Sequence, residues 1–264
     1  MTTPTPKGTA LITGASTGIG AVYADRLARR GYDLILVARN QQRLAALAEK
    51  LQAETGRTVT PLAADLNDLA DLAKVEAVLR DDANITLLVY NAGVGSVASI
   101  LKGDADAMQA MIGLNITALT RLTYAVAPAF VARGAGTIVN ISSVVGIAVE
   151  MLNGVYSASK SYVLSFGHAL QRDLGDKGVR IQTVLPGATA TEFWDVAGYA
   201  AQKAGANTMT AAHLVDAALV GLDRGEPVTI PGLHEEQEWH AWEQGRRTLS
   251  SKFSHALPAA RYGV

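Results

Sequence analysis

The sequence predicts a single α/β domain built on a doubly wound parallel sheet of about seven strands flanked by helices. Three observations lead there. Short, continuous apolar runs alternate with longer stretches of helical period along most of the chain. The runs lack the polar alternation of half-exposed strands, which marks strands covered on both faces. The first run also breaks straight into a glycine cluster that opens a helix. Parallel strands joined through helices need crossover connections, and these are right-handed.

Thr9 to Thr13 is the first run, and the glycine turn after it feeds a helical pattern that continues through Arg30. Leu34 to Ala38 is the second, followed by Gln41 to Thr55 with leucines at 44, 47 and 51. Val59 to Ala63 leads through Ala64-Asp65-Leu66 into a helix ending near Arg80, and Ile85 to Tyr90 is the fourth strand. A long helical region, about Ala105 to Gly134, precedes the strand Thr137 to Ile141. The next helix contains Tyr156 and runs to about Asp176, Val179 to Leu185 is again a strand, and a helix from Ala211 to Gly225 leads to the last one, Pro227 to Ile230. No repeat or low-complexity linker divides the chain, so residues 1–264 are expected as one domain with a polar leader (1–7) and a C-terminal extension (233–264). The extension carries Trp239, Trp242, Leu249, Phe253 and Leu257 among many charges and reads as an amphipathic helix lying on the body or on a partner subunit. Its Glu235, Glu236, Glu238 and Glu243 disfavour an anionic membrane surface.

Composition excludes several classes of function. The 264 residues are 49% hydrophobic and 18% charged, which suits one large buried core. With 23 basic against 24 acidic residues and a net charge of -1, there is no electrostatic footprint for nucleic acid. The absence of cysteine rules out disulfides and thiolate metal sites, and the five histidines show no ligand spacing, so no metal is expected. The N-terminus lacks a charged segment followed by a long apolar one, and no apolar run approaches a bilayer's thickness. The protein is expected to be soluble and cytoplasmic, without a membrane partner.

The glycine turn is the first chemical signal. In an open parallel sheet, ligands bind at the carboxyl ends of the strands, and the first strand-to-helix turn takes the phosphates. Here that turn is Thr13-Gly14-Ala15-Ser16-Thr17-Gly18-Ile19-Gly20, with G-x-x-x-G-x-G spacing. Glycines let the backbone turn tightly and approach a pyrophosphate, while the helix N-terminus offers unpaired N–H groups and a positive dipole end. A dinucleotide is the favoured reading over an unliganded turn. After the second strand the chain reads Val37-Ala38-Arg39-Asn40, with an arginine and no acid. An acid there would hold a ribose 2'-hydroxyl and an arginine a 2'-phosphate, so NADP(H) is preferred and NAD(H) stays possible. A plain surface arginine is the alternative for Arg39. Asp65 and Leu66 fall where an adenine ring would pack, with a turn-capping aspartate as the competing explanation.

The second signal is Tyr156, thirteen residues after Ser143 and four before Lys160. On a helix, spacing four places the phenol and the ammonium on one face. A free tyrosine, with a pKa of about 10, exchanges protons poorly at neutral pH, and a neighbouring cation stabilises its phenolate. In isolation the pair is equally an ordinary surface Tyr and Lys. Ser142, beside Ser143, is a rival disfavoured only by the spacing.

Together, T-G-x-x-x-G-x-G at 13 to 20, Asp65, Asn91-Ala92-Gly93, Asn115, Ser143, Tyr156-x-x-x-Lys160 and Pro186-Gly187 with Thr191 resemble the classical short-chain dehydrogenases/reductases, from Thr13 to about Gly232. The resemblance implies a Rossmann-type fold, a nicotinamide cofactor and a catalytic set of Asn115, Ser143, Tyr156 and Lys160. It implies that Tyr156 moves the proton, Ser143 holds the carbonyl oxygen, Lys160 tunes the phenol and bonds the nicotinamide ribose, and Asn115 holds a water leading from Lys160 to solvent. The implied cofactor contacts are Gly14, Ser16, Thr17, Gly18, Ile19, Gly20, Arg39, Asp65, Leu66, Asn91, Ala92, Gly93, Tyr156, Lys160, Pro186, Gly187, Thr189 and Thr191. Family members often read Asn-Asn-Ala-Gly after the fourth strand, whereas Tyr90 stands here in place of the first asparagine. That position is usually credited with shoring up the central sheet.

An NADP(H)-dependent oxidoreductase acting on a small carbonyl or alcohol with an apolar substituent is the resulting expectation. The alternatives are a 3-oxoacyl-thioester reductase working on a carrier protein and a cofactor-binding regulator without turnover. Segment 192–208, with Phe193, Trp194 and Tyr199 beside Gly198 and Gly205, is expected to be a lid, plain packing being the alternative, and Val144, Met151 and Leu152 are expected to help choose the substrate. A homodimer or homotetramer, assembled through the helix carrying Tyr156, follows by analogy.

Overall fold

The computed structural model describes residues 7–199 and 205–264; most of the expected leader and five residues of the expected lid lie outside them. Two compact units form, Met1–Pro231 and Gly232–Val264.

The body begins with β1 (Thr9–Thr13), α1 (Gly18–Arg29), β2 (Asp33–Ala38), α2 (Gln41–Thr55), β3 (Val59–Ala63), α3 (Leu69–Asp81) and β4 (Ile85–Tyr90). It continues with α4 (Ala105–Ile112), a π-helical turn (Gly113–Ala118), α5 (Leu119–Arg133), β5 (Gly136–Ile141), α6 (Gly154–Leu174) and β6 (Val179–Val184). Then come β7 (Thr189–Ala190), α7 (Phe193–Ala197), β8 (Met209–Thr210), α8 (Ala211–Arg224) and β9 (Val228–Thr229). Seven strands form one sheet in the order β3-β2-β1-β4-β5-β6-β9, paired in parallel throughout. Short β7 and β8 pair separately.

Alternation along each strand fills both faces. From β1, Ala10 and Ile12 join a core with α1, α2 and α8, supplied by Leu27, Leu44 and Val215 among others. Leu11 points the other way, into a core with α3, α5 and α6 containing Val75, Leu122 and Val163. Pro61 sits in β3, at the sheet edge, where a missing N–H costs little.

The long helical region expected at about Ala105 to Gly134 is present, and the structure adds the π-helical turn Gly113–Ala118 in its middle. Ala105–Arg133 is long and apolar enough to span a bilayer by length and composition, but its Leu119, Leu122, Val126 and Phe130 are buried in the core.

The second unit holds α9 (Glu236–Ser250). Within it Trp239 and Trp242 stack with centroids 5.0 Å apart, and Glu243 accepts from Arg246 at 2.9 Å.

Candidate active site

The strand order reverses between β1 and β4, so their carboxyl ends diverge and leave a crevice. Side chains bonded to the neighbouring backbone hold the two ends together. Thr13 Oγ1 accepts from the Asn91 and Ala92 N–H groups, each at 3.0 Å, while Asn91 Nδ2 donates to the carbonyls of Thr13 at 3.1 Å and Gly14 at 3.0 Å. Sequence reasoning passed over the Thr13 side chain.

The glycines of the turn divide their work. Gly14 and Gly18 take left-handed backbone angles, with φ of 64° and 55°, and both line the crevice. Gly20 does not: a Cβ there would lie 2.3 Å from the Gly14 carbonyl, so its missing side chain lets α1 press on the turn from behind. Gly187 likewise stands away from the crevice lining, although Pro186 beside it contributes. All the other expected cofactor residues line the same cleft of about 860 Å³.

Arg39 lines that cleft, is exposed, and has no ion-pair partner among the described residues. Arg43, one helical turn later, lines it too and pairs with Glu192 at 2.8 Å. The sequence analysis missed Arg43 because it lies inside a regular helix. Asp65 takes both of its expected roles in part: it lines the cleft, and its carboxylate accepts from the Asn67 N–H at 3.0 Å.

Further along the cleft lie Ser143, Tyr156 and Lys160. The helix that carries the last two starts where it does because Asn153 caps it, accepting from the N–H groups of Val155 at 2.9 Å and Tyr156 at 3.2 Å. Asn153 Nδ2 also donates to the Ala98 carbonyl, tying this helix start to the loop after β4. The Asn-Gly before an apolar periodic stretch was the signal that would have found it.

Tyr156 is packed into a small apolar cluster with Met111 and Val145, against which Val94, Met108, Leu152 and Phe193 also pack. Burial pushes its phenol up to about 12, opposed by a hydrogen bond with Ser143. Burial also holds the Lys160 ammonium down to about 8. Lys160 Nζ donates to the Ile141 carbonyl at 2.9 Å and stands 5.8 Å from the Tyr156 ring centroid. In this arrangement desolvation of the phenol outweighs any help from the ammonium, contrary to the tuning expected from their spacing.

The buried Asn115 amide is committed to protein groups: Oδ1 accepts from Val94 N at 3.0 Å, and Nδ2 donates to Val94 O at 2.9 Å and Ser159 Oγ at 3.0 Å. The rival serine is resolved as well. Ser142 donates to the Lys160 carbonyl at 2.7 Å, a bond that pins the helix, whereas Ser143 Oγ donates to the Pro186 carbonyl at 3.3 Å, a weaker tie within the cleft lining.

The far end of the cleft is apolar. Phe193 lies over Tyr156 with ring centroids 5.6 Å apart, in space that a Cβ on Gly95 would fill, 2.3 Å from the Phe193 ring. Trp194 is buried and donates to the Thr189 carbonyl at 2.8 Å, so it anchors α7 as packing. The Val97 N–H donates to Ala197 O at 3.2 Å and holds α7 to the loop after β4. A second cavity, about 470 Å³, is lined by Val97, Ala98, Ser99, Met151, Leu152, Asn153, Gly154 and Tyr199. Val144 lines neither space. No cluster of acids and histidines able to hold a metal occurs among the described residues.

Comparison with known proteins agrees with this geometry. Residues 8–198 match the family model described as short chain dehydrogenase. A short-chain dehydrogenase from Sphingobium yanoikuyae, solved in complex with NADPH, is 49% identical, superposes with a TM-score of 0.94, and covers 97% of this chain and all of its own. A bulky-bulky ketone specific alcohol dehydrogenase from Comamonas testosteroni is 44% identical, with a TM-score of 0.91 over 98% of this chain and 99% of its own. An uncharacterized oxidoreductase of Staphylococcus saprophyticus is 31% identical over 222 residues, 84% of this chain and 93% of that protein. The family model ends at 198 while the two solved structures extend over nearly the whole chain, so most of the C-terminal unit has a counterpart in them.

Proposed function

The chain belongs to the short-chain dehydrogenases, and on that premise we propose that it transfers a hydride between NADP(H) and a ketone, aldehyde or secondary alcohol bearing apolar substituents. One observation carries the reading: a buried tyrosine, packed in a small apolar cluster, lines the same cleft as Ser143, Lys160 and the glycine turn.

The residues fit a dinucleotide. Gly14 and Gly18 keep side chains away from the turn, the N-terminus of α1 opens onto it, and Arg39, just past the end of β2, offers a guanidinium with no ion-pair partner among the described residues. That guanidinium favours a 2'-phosphate over a bare ribose hydroxyl. The NADPH bound by the Sphingobium relative supports the same choice. When bound, the cofactor supplies or accepts the hydride.

The chain's own residues handle the oxygen. In reduction, the Tyr156 hydroxyl gives its proton to the carbonyl oxygen as charge builds there, and the Ser143 hydroxyl donates a hydrogen bond to the same oxygen. In oxidation the phenolate takes the alcohol's proton back. The buried phenol stays protonated well past neutrality, which suits a donor in the reductive direction. The Lys160 ammonium stands beside it to favour the charge left on Tyr156, and Asn115, committed to Val94 and Ser159 rather than to a water, sets the adjoining loop. Lys160 carries its charge below about pH 8 and loses it above, so kcat/KM for reduction falls as pH rises through that value, while Tyr156 remains protonated.

The apolar cluster around Tyr156 and the cavity lined by Val97, Met151 and Tyr199, which share Leu152, support ketones with bulk on both sides of the carbonyl, the class named for the Comamonas relative. The test is NADPH oxidation across a series of ketones graded by the size of both substituents. Turnover that rises with apolar bulk is expected, and cofactor binding without NADPH oxidation in the presence of any of the ketones would sink the proposal.

A further inference from the structure

Tyr90, the residue that departs from the family pattern, ends β4 and is 2% exposed. Its hydroxyl does not stay in the sheet. It donates to the Leu114 carbonyl, inside the π-helical turn Gly113–Ala118. A π-helical turn interrupts the regular i-to-i+4 ladder, so a carbonyl within it gains from a donor outside the helix. An asparagine at position 90 would stop a ring's length short of that carbonyl. Burial keeps the Tyr90 phenol protonated, so it is a permanent donor.

The next residue after Leu114 is Asn115, and the turn decides where its amide points. That amide grips both backbone groups of Val94 and the Ser159 hydroxyl. Ser159, fully buried one residue before Lys160, passes the connection on by donating to the Tyr156 carbonyl at 2.7 Å. Gly93 shows how close the convergence is: a Cβ there would meet Asn115 Oδ1 at 3.2 Å and Lys160 Nζ at 3.4 Å. On the other side, the cross-strand neighbour of Tyr90 is Asn140, whose buried amide has no hydrogen-bond partner among the described residues. The sheet could have paired a polar residue at 90 with Asn140. The phenol reaches to the turn instead.

We infer that Tyr90 is a positioning residue for the reaction: its hydroxyl fixes the π-helical turn that sets Asn115 against Val94 and Ser159, and through them the placement of Tyr156 and Lys160. The inference rests on the reductase reading for its kinetic consequence, and its structural half is measurable without any substrate.

The experiment uses Tyr90→Phe, which keeps the ring and removes the donor, alongside Asn115→Ala and the double variant. Tyr90→Phe is expected to lower kcat about tenfold with KM for NADPH within about twofold, and to move the alkaline limb of the pH profile toward neutrality. In the Asn115→Ala background the same change should cost almost nothing further, because the two act through one turn. Backbone hydrogen exchange of the free protein should accelerate at Val94 and across 113–119 and nowhere else. Additive losses in kcat, or a lowered melting temperature with kcat and the pH profile unchanged, would overturn the inference and leave Tyr90 as core filling. Local exchange at wild-type rates would overturn it even if Tyr90→Phe proved too unstable for kinetics. A wild type that leaves NADPH unoxidised with every ketone tested would sink the reductase reading, and the exchange pattern would still decide the role of Tyr90.

Discussion

The two halves of the cleft are made of different material. At the cofactor half, strand ends and a glycine turn present backbone, and the side chains there mostly brace that backbone: Thr13 holds the Asn91 N–H, Asn91 the Gly14 carbonyl, and Asp65 its own turn. At the substrate half, single side chains on loops and a short helix make the walls, and several apolar ones face solvent, among them Met151 at 65% and Val196 at 69% exposure. Backbone geometry tolerates few sequences, whereas a loop side chain changes freely without endangering the fold. The difference teaches why the cofactor can be read from short motifs and the ketone cannot.

The comparison is broken most severely at the point where the halves meet. Tyr156→Phe removes the proposed proton donor and should reduce turnover about a thousandfold, with the Kd for NADPH, followed by nucleotide fluorescence, within a few-fold of wild type. Loss of NADPH binding along with turnover would place Tyr156 in the cofactor half instead. A smaller effect is expected from Arg39→Asp. Losing a charge-assisted phosphate contact and gaining an acid should shift the NADPH-to-NADH preference in kcat/KM by about 10 to 100-fold, whatever the ketone. An unchanged ratio would make Arg39 a surface arginine and leave Arg43 as the phosphate reader. The smallest effect belongs to the substrate half. Phe193→Ala opens the space between Gly95 and the Tyr156 ring and should alter the relative kcat/KM of large and small ketones by roughly three- to tenfold, one buried ring contact being worth no more.

Legibility followed the same division. The seven strands and their order of appearance were visible because continuous apolar runs and helical periods are backbone-level signals, and Gly14, Gly18, Ser143, Tyr156 and Lys160 were visible because their types and spacings are constrained together. Gly20 and Gly187 were placed in the lining by motif alone, although for Gly20 the physical need is a close approach behind the turn. Thr13 and Arg43 escaped because a hydroxyl brace and a helical arginine have no spacing that distinguishes them from ordinary residues, whereas Asn153 was announced by the Asn-Gly before its helix. The π-helical turn was hidden for a similar reason: one extra residue in a helical ring leaves the apolar period almost intact. Trp194 was read with the lid, but its indole N–H is committed to the Thr189 carbonyl, a partner that no pattern in the sequence announces.

An ion pair, Arg43 with Glu192, links the two halves, and with both side chains about half exposed it is worth at most about 1 kcal/mol. The halves should therefore act almost independently. The most direct test measures kcat/KM for two ketones of different bulk with NADPH and with NADH, on wild type, Arg39→Asp, Phe193→Ala and the double variant. The account predicts that the cofactor ratio depends only on position 39, that the ketone ratio depends only on position 193, and that the double variant is the product of the single ones within about twofold. A cofactor ratio that moves with Phe193→Ala, or a ketone ratio that moves with Arg39→Asp, would contradict it.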